Sequence, residues 1–265
     1  MGLIDWNSLW DLQMLVTDRA RLNDGFFWDK IAKDEKSGCF TEELTAFQMD
    51  CLSIKPDDKV LEIGPGKGRL TKELVKNAKS VTVLDPSELM LEELSKTLLD
   101  EGLKEVQQIN SKLEDVDQMS LGQYDLVVAS YSLFMMDMKS QLEKMNNASS
   151  GGVCIFVPAN LRIPKEVQSL LRGTEQSIQL PDHVVLFNLL WDMGIHAEVL
   201  IYTHKASRRF KDMESALQDQ MRFHNVPEEK REIMADYVSS LLKKEGDELV
   251  IEQQRSTAML RWNRQ

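Results

Sequence analysis

Residues 60–68 read Val60-Leu61-Glu62-Ile63-Gly64-Pro65-Gly66-Lys67-Gly68. An apolar run ends in three glycines at alternate positions, and a helix-like segment follows. Glycine reaches φ > 0 without strain and lets a ligand approach the backbone closely. A helix starting there aims its unpaired N–H groups and positive dipole end into the same space. The pattern predicts a cradle for a polar or anionic ligand group at the edge of a parallel sheet. The spacing narrows the ligand. A dinucleotide fingerprint, G-x-G-x-x-G, requires glycine at position 69, where Arg69 stands, and a P-loop, G-x-x-x-x-G-K-[ST], is absent.

A second station lies downstream. Val81-Thr82-Val83-Leu84 is a short β-branched run ending in Asp85, then Pro86-Ser87. Leu89, Met90, Leu91, Leu94, Leu98 and Leu99 then form a helical stripe, with Ser87 placed to cap it. Asp85 follows Gly68 by 17 residues (85 − 68), the interval at which an acid on a second strand tip holds a ribose diol. A carboxylate accepts from both hydroxyls through charge-assisted hydrogen bonds. The competing reading, an Asx turn before proline, is weakened by that interval.

Glu62-x-Gly64-x-Gly66-x-Gly68, with Asp85 and the Tyr124-Asp125-Leu126-Val127 strand opening, resembles the class I S-adenosylmethionine-dependent methyltransferases. The resemblance covers about residues 56–204, and the last strand by topology only. It implies a cofactor site of Glu62, Gly64, Pro65, Gly66, Gly68, Asp85, Pro86 and Met90, with Asp85 on the ribose. The adenine ring would lie along Gln108–Asp115, at Leu113 and Glu114. Many relatives carry an aspartate one or two residues earlier, where Ser111 and Lys112 stand here. Ser130 and Tyr131 would line the cofactor, and the segment to Met136 the space between cofactor and acceptor. Met135, Met136 and Met138 read as a soft pocket wall or as core filler, the latter for at least two of them. Trp28 is a candidate neighbour of the sulfonium, since an aromatic face attracts a cation by about 0.5–2 kcal/mol. The stronger reading is that Phe27 and Trp28 fasten a helix to the sheet.

Methyl transfer from a sulfonium depends mainly on alignment, which supplies roughly 7–11 kcal/mol, so no obligatory triad is expected. Tyr131, His183 and His204 are candidate bases, with Asp137 behind them. Each has a structural reading ahead of it: a pocket wall for Tyr131, a helix start for His183, a surface strand end for His204. Neither an N/D-P-P-Y/F motif nor a Pro-Cys pair follows strand four, which points to a small-molecule acceptor.

Apolar runs and helical patterns alternate. Strands are predicted at 59–63, 80–84, 105–109, 124–130, 152–158, 196–204 and 248–262, the last shorter than its span. Helices are predicted at 69–77, 87–101, 138–147, 181–193 and 207–245. The alternation predicts an α/β, Rossmann-like, doubly wound sheet; the resemblance makes it seven-stranded with the last strand antiparallel. Residues 1–55, with Trp6, Trp10, Phe26, Phe27 and Trp28 at helical spacing, read as an N-terminal helical segment, which the resemblance makes a lid or cap over the cofactor. Residues 56–265 read as the methyltransferase domain, with 207–245 a helical insertion before the last strand.

Composition sets the partners. The 265 residues carry 32 basic and 43 acidic side chains, 32 − 43 = −11. Such a charge argues against nucleic acid, whose phosphates call for clustered Lys and Arg. The best basic patch, Lys205, Arg208, Arg209 and Lys211, reads as a solvated helix end. Cys39, Cys51 and Cys154 fit neither a disulfide framework nor a zinc site, so no metal is expected, and a reducing cytoplasm is. No apolar run approaches the ~20 residues of a membrane span. The expectation is an enzyme converting S-adenosylmethionine to S-adenosylhomocysteine while methylating a small molecule, as a monomer or homodimer. The alternatives are an RNA or protein methyltransferase and a non-catalytic S-adenosylmethionine-binding protein.

Overall fold

In a computed structural model of the protein, describing residues 3–32, 40–159, 167, 181–224 and 226–264, the apolar runs become strands of one sheet. Cys39 lies outside the described residues. The strands are β1 (Lys59–Ile63), β2 (Ser80–Asp85), β3 (Gln107–Asn110), β4 (Tyr124–Ser130), β5 (Ser149–Ala159), β6 (Glu198–Phe210), β7 (Leu242–Glu245) and β8 (Glu248–Asn263). Their order is β3-β2-β1-β4-β5-β8-β6, with β7 antiparallel to β8. β1 to β5 pair in parallel. The end of β8 meets the start of β5, where Arg264 N–H donates to the Gly151 carbonyl at 3.0 Å, so β8 runs antiparallel. The doubly wound sheet with an antiparallel last strand is as expected, and the β7 hairpin adds an eighth strand.

The central parallel strands β1, β2, β4 and β5 are buried on consecutive positions because both faces are covered, whereas the edge strand β3 is polar and exposed. Leu61, Ile63, Val127, Ala129, Val153 and Ile155 face one core. It is completed by α1 (Trp6–Val16), α7 (Met138–Ala148) and α8 (His183–Asp192). Val60, Leu126, Val128, Cys154 and Phe156 face the other, against α3 (Glu42–Leu52), α4 (Thr71–Asn77) and α5 (Glu88–Asp100). Thus α1 and α3 lie on opposite faces of the sheet. The chain between them carries the short α2 (Gly25–Ala32). The remaining helix of this half is the one-turn α6 (Gln118–Leu121). Met135 and Met138 are fully buried in the first core and Met136 packs against it, as gap-fillers do.

Two compact units share these strands. One comprises Met1–Ala159, Pro181–Tyr202 and Thr257–Gln265; the other comprises Asn160–Leu180 and Thr203–Ser256. The second has its own core around Phe210, Leu217, Met221, Met234, Val238 and Ile251, built from α9 (Met213–His224) and α10 (Arg231–Leu241). The stretch 207–245 is therefore not helical throughout. β6 continues to Phe210 because His204, Ala206 and Phe210 keep the two-residue burial rhythm of a strand. β8 is not shortened and uses 16 residues. Leu99, placed on the α5 stripe by spacing, is 77% exposed; it lies one helical step beyond Leu98, outside the buried arc.

Trp10 anchors α1. It is 2% exposed, and its Nε1 donates to the Met135 carbonyl at 3.0 Å. Trp10→Ala removes a large core side chain and orphans that carbonyl, so the variant should lose about 3–5 kcal/mol in urea denaturation. A loss below ~1 kcal/mol, the scale of a surface change, would mean α1 is dispensable to the first core.

Candidate functional site

The three motif glycines all have positive φ, at +69° for Gly64, +56° for Gly66 and +90° for Gly68. Their surroundings differ. A Cβ on Gly64 would lie 2.3 Å from Ser132 Cβ, and one on Gly68 would lie 2.4 Å from Leu94 Cδ1. Those two glycines permit close packing within the fold. A Cβ on Gly66 would meet nothing within 4 Å, so Gly66 alone presents bare backbone to open space. Pro65 is buried between them, and its carbonyl accepts from Gly68 N–H at 3.1 Å to close the turn. α4 begins at Thr71, two residues later than the pattern predicts, because the glycine turn extends through Leu70.

Two buried acids flank the turn. Glu62 is 1% exposed and accepts from Thr71 Oγ1 at 2.6 Å; burial pushes its pKa up to about 7. Asp85, 5% exposed at the tip of β2, accepts from Ser87 N–H at 2.9 Å and from Gly66 N–H. Burial raises its pKa to about 6, and Asp29 adds to the rise. Among the described residues no cation pairs with Asp85, which leaves its carboxylate a ready acceptor. Met90 is buried in the first turn of α5, with its N–H on Ser87 Oγ at 3.1 Å.

The Asp85-Pro86-Ser87 turn is clasped by α2. Gly25 opens that helix, and a Cβ there would lie 2.3 Å from the Pro86 carbonyl oxygen. Asp29 accepts from Ser87 Oγ at 2.5 Å and from Leu89 N–H at 3.4 Å. Trp28 donates from Nε1 to the Leu22 carbonyl at 2.6 Å, and its ring lies 5.8 Å from Phe134. Trp28 thus links α2 to the segment after β4. Asn23, just before α2, donates to Glu114 Oε1, while Glu114 Oε2 is buried with no hydrogen-bond partner. Leu113 is buried, and Lys144 Nζ holds the Leu113, Glu114 and Val116 carbonyls at 2.7–3.0 Å.

At the tip of β4, Ser130 Oγ accepts from Gln48 Nε2 at 3.0 Å and from an Arg69 Nη at 3.2 Å. Tyr131 follows with φ +58°, a conformation that costs a bulky residue of order 1–3 kcal/mol and clusters at functional sites. Its hydroxyl is hydrogen-bonded to Thr257 Oγ1, and its ring is 4.9 Å from Phe40. The cofactor-lining candidates Ser130 and Tyr131 thus stand at the end of β4, which neighbours β1 in the sheet.

The other candidate bases have contacts of their own. Asp137 caps α7 and docks α1, bonding Ser140 Oγ at 2.6 Å, Asn7 Nδ2 at 3.1 Å and, through its N–H, Asp11 at 2.8 Å. His183 is the first residue of α8, and its Nδ1 is buried without a hydrogen-bond partner. His204 belongs to the second unit and is 6% exposed inside β6. It is not the surface strand end expected, because the strand runs on past it. Arg208 and Arg209 are likewise on a strand, not a helix end. Arg208 pairs with Asp219, and Arg209 pairs with Glu245 at 2.9 Å and Glu248 at 3.2 Å. Sequence reasoning missed Gly25, Asp29 and Gln48. Only the Asp24-Gly25 helix start hinted at the first, and nothing local marked the others.

Residues 61–154 match the family model described as a methyltransferase domain. A mitochondrial ribosomal RNA small subunit methyltransferase of Arabidopsis thaliana is 40% identical over 77 residues, 29% of this chain and 20% of that protein. The matched stretches span about a fifth to a quarter of the curated relatives. Among solved structures, a candidate methyltransferase of Bacillus halodurans C-125 superposes with TM-score 0.57 at 14% identity, covering 83% of this chain and 98% of that one. The DhpI–SAH complex superposes with TM-score 0.52 at 18% identity, covering 69% and 91%. The chain therefore carries a methyltransferase domain at residues 61–154, on the fold that the solved methyltransferases share.

Proposed function

We propose that the protein transfers a methyl group from S-adenosylmethionine to a small-molecule acceptor, releasing S-adenosylhomocysteine. The observation that carries the reading is the open backbone of Gly66 beside the buried carboxyl of Asp85. A ribose diol fits that pair: bare backbone admits the sugar, and the carboxylate takes both hydroxyls. The orphan Glu114 Oε2 suits an exocyclic amine. When bound, S-adenosylmethionine supplies an activated methyl group for in-line displacement. Glu62, Gly64, Pro65, Gly68, Pro86, Met90 and Leu113 shape the cradle. Ser130, Tyr131 and Trp28 flank the acceptor side, and α2 over the Asp85 turn helps exclude water. None of Tyr131, His183 or His204 is needed as a base for an acceptor that desolvation alone makes nucleophilic.

An RNA acceptor is the second reading, favoured by the ribosomal RNA methyltransferases among the relatives. The charge of −11 and the carboxylates facing Arg208 and Arg209 weigh against it. Among the described residues no helix is long and apolar enough to cross a membrane. Labelled S-adenosylmethionine offered with ribosomal RNA and with a metabolite extract separates the readings. Label in the small-molecule fraction alone is expected; label in RNA alone would replace the acceptor class.

Asp85→Ala should weaken S-adenosylhomocysteine binding at least tenfold, about 1.4 kcal/mol, in calorimetry. Unchanged affinity would remove Asp85 from the ribose. Gly66→Val should abolish binding while the melt stays cooperative.

The raised Asp85 pKa gives a pH signature. Its folded value near 6 exceeds the ordinary carboxylate value, so folding takes up a proton between about pH 4 and 6. That stabilisation is complete below pH 4 and lost as pH rises through 6. Relative to Asp85→Asn, the ligand-free protein should lose stability across this window. Affinity for S-adenosylhomocysteine should rise over pH 5–7 in the wild type and stay flat in the variant. Parallel curves for the two proteins in thermal melts and calorimetry would refute the assignment.

A further inference from the structure

Arg69 occupies the position that breaks the dinucleotide pattern. It is half-buried. Its Nη atoms donate to Thr45 Oγ1 at 2.8 Å and Ser130 Oγ at 3.2 Å, and its Cζ lies 4.6 Å from the centre of the Phe40 ring. Both hydrogen-bond partners are neutral hydroxyls. Among the described residues no carboxylate comes within ion-pair distance, and Glu62 acts on Arg69 only through space. Burial accordingly lowers the Arg69 pKa.

A guanidinium withdrawn from water normally meets a carboxylate, because an uncompensated buried charge is costly. Two neutral hydroxyls fix the plane of the group and leave further N–H donors of the fork unused. Gln48, fully buried behind the same Ser130 hydroxyl, has its Oε1 without a hydrogen-bond partner. Phe40 covers the cation, and the Tyr131 ring packs on Phe40 at 4.9 Å and 40°. Tyr131 is held there by its left-handed backbone and its bond to Thr257. The group is thus a rigid cation with aromatic walls at the strand tip that the fold uses for ligands.

We propose that Arg69, with Phe40 and Tyr131, is a subsite for a carboxylate, and that this carboxylate belongs to a methyl acceptor with a flat, aromatic body. The inference deepens the methyltransferase reading and depends on it only for calling the bound molecule the acceptor. The same chemistry exists on the amino-acid end of the adenosyl donor, so the test has an arm for each source.

Full-length wild type, Arg69→Gln and Arg69→Lys are titrated with benzoate and with its neutral counterpart benzamide, with and without S-adenosylhomocysteine. They are also titrated with S-adenosylhomocysteine and its decarboxylated analogue. Wild type should bind benzoate at least tenfold more tightly than benzamide. The difference should vanish in Arg69→Gln and partly return in Arg69→Lys, with S-adenosylhomocysteine affinity changing less than twofold. If Arg69→Gln instead loses tenfold for S-adenosylhomocysteine and nothing for the decarboxylated analogue, the carboxylate is the donor's and the acceptor assignment falls. If neither carboxylate is preferred in any arm, the subsite is refuted. Thermal melts separate a structural role. An unpaired buried cation predicts an Arg69→Gln midpoint equal to or above wild type. A lower midpoint with uniform loss of every ligand overturns the proposal. Benzoate discrimination without any S-adenosylhomocysteine binding would sink the methyltransferase reading and leave the subsite standing.

Discussion

Charge held out of water without a compensating partner is the constraint around which this ligand edge is built. Glu62 and Asp85 lie at neighbouring strand tips, buried deeply enough to bind protons near neutrality. Arg69 is close by and meets only hydroxyls and a ring. Burying such groups is unfavourable, and a typical domain's net stability is only about 5–15 kcal/mol. The two faces of the sheet offset that cost through continuous apolar cores. Stability lies in the strands and covering helices, and the unfavourable electrostatics are confined to the tips. This division is common where binding requires groups that folding alone would disfavour.

The N-terminal segment follows from the same geometry. α1 packs on one face and α3 on the other, so the intervening chain has to pass an edge of the sheet. It passes at the tip of β2, where Gly25 closes against Pro86 and Asp29 captures the Ser87 hydroxyl. Those contacts brace the backbone that presents Asp85. They also bring a second acid near Asp85, which helps keep its pKa high. Asn23 extends the brace to Glu114. One crossing therefore touches both ends of the proposed nucleoside site.

The glycine motif separates packing from function. Gly64 and Gly68 are required because Ser132 and Leu94 fill the space a side chain would take. Gly66 is the one whose missing side chain faces outward. A pattern of three equivalent letters thus resolves into two glycines required by packing and one that faces open space.

What the sequence determined by itself was whatever depends on near neighbours. The strand–glycine–helix turn, the Asp85 tip, the Ser87 cap and the doubly wound alternation all follow from local sterics and side-chain periodicity, which residues a few positions apart settle among themselves. The burial of Met135 and Met138 was legible for the same reason. Tertiary structure decided which glycine is open, that Asp29 reaches Ser87 across 58 positions, and that Arg69 meets no carboxylate. It also carried β6 through His204 to Phe210 and set Arg208 and Arg209 among acids. These outcomes depend on which distant surfaces meet, and on how much water remains between them, and neither quantity is written in any short stretch of the chain.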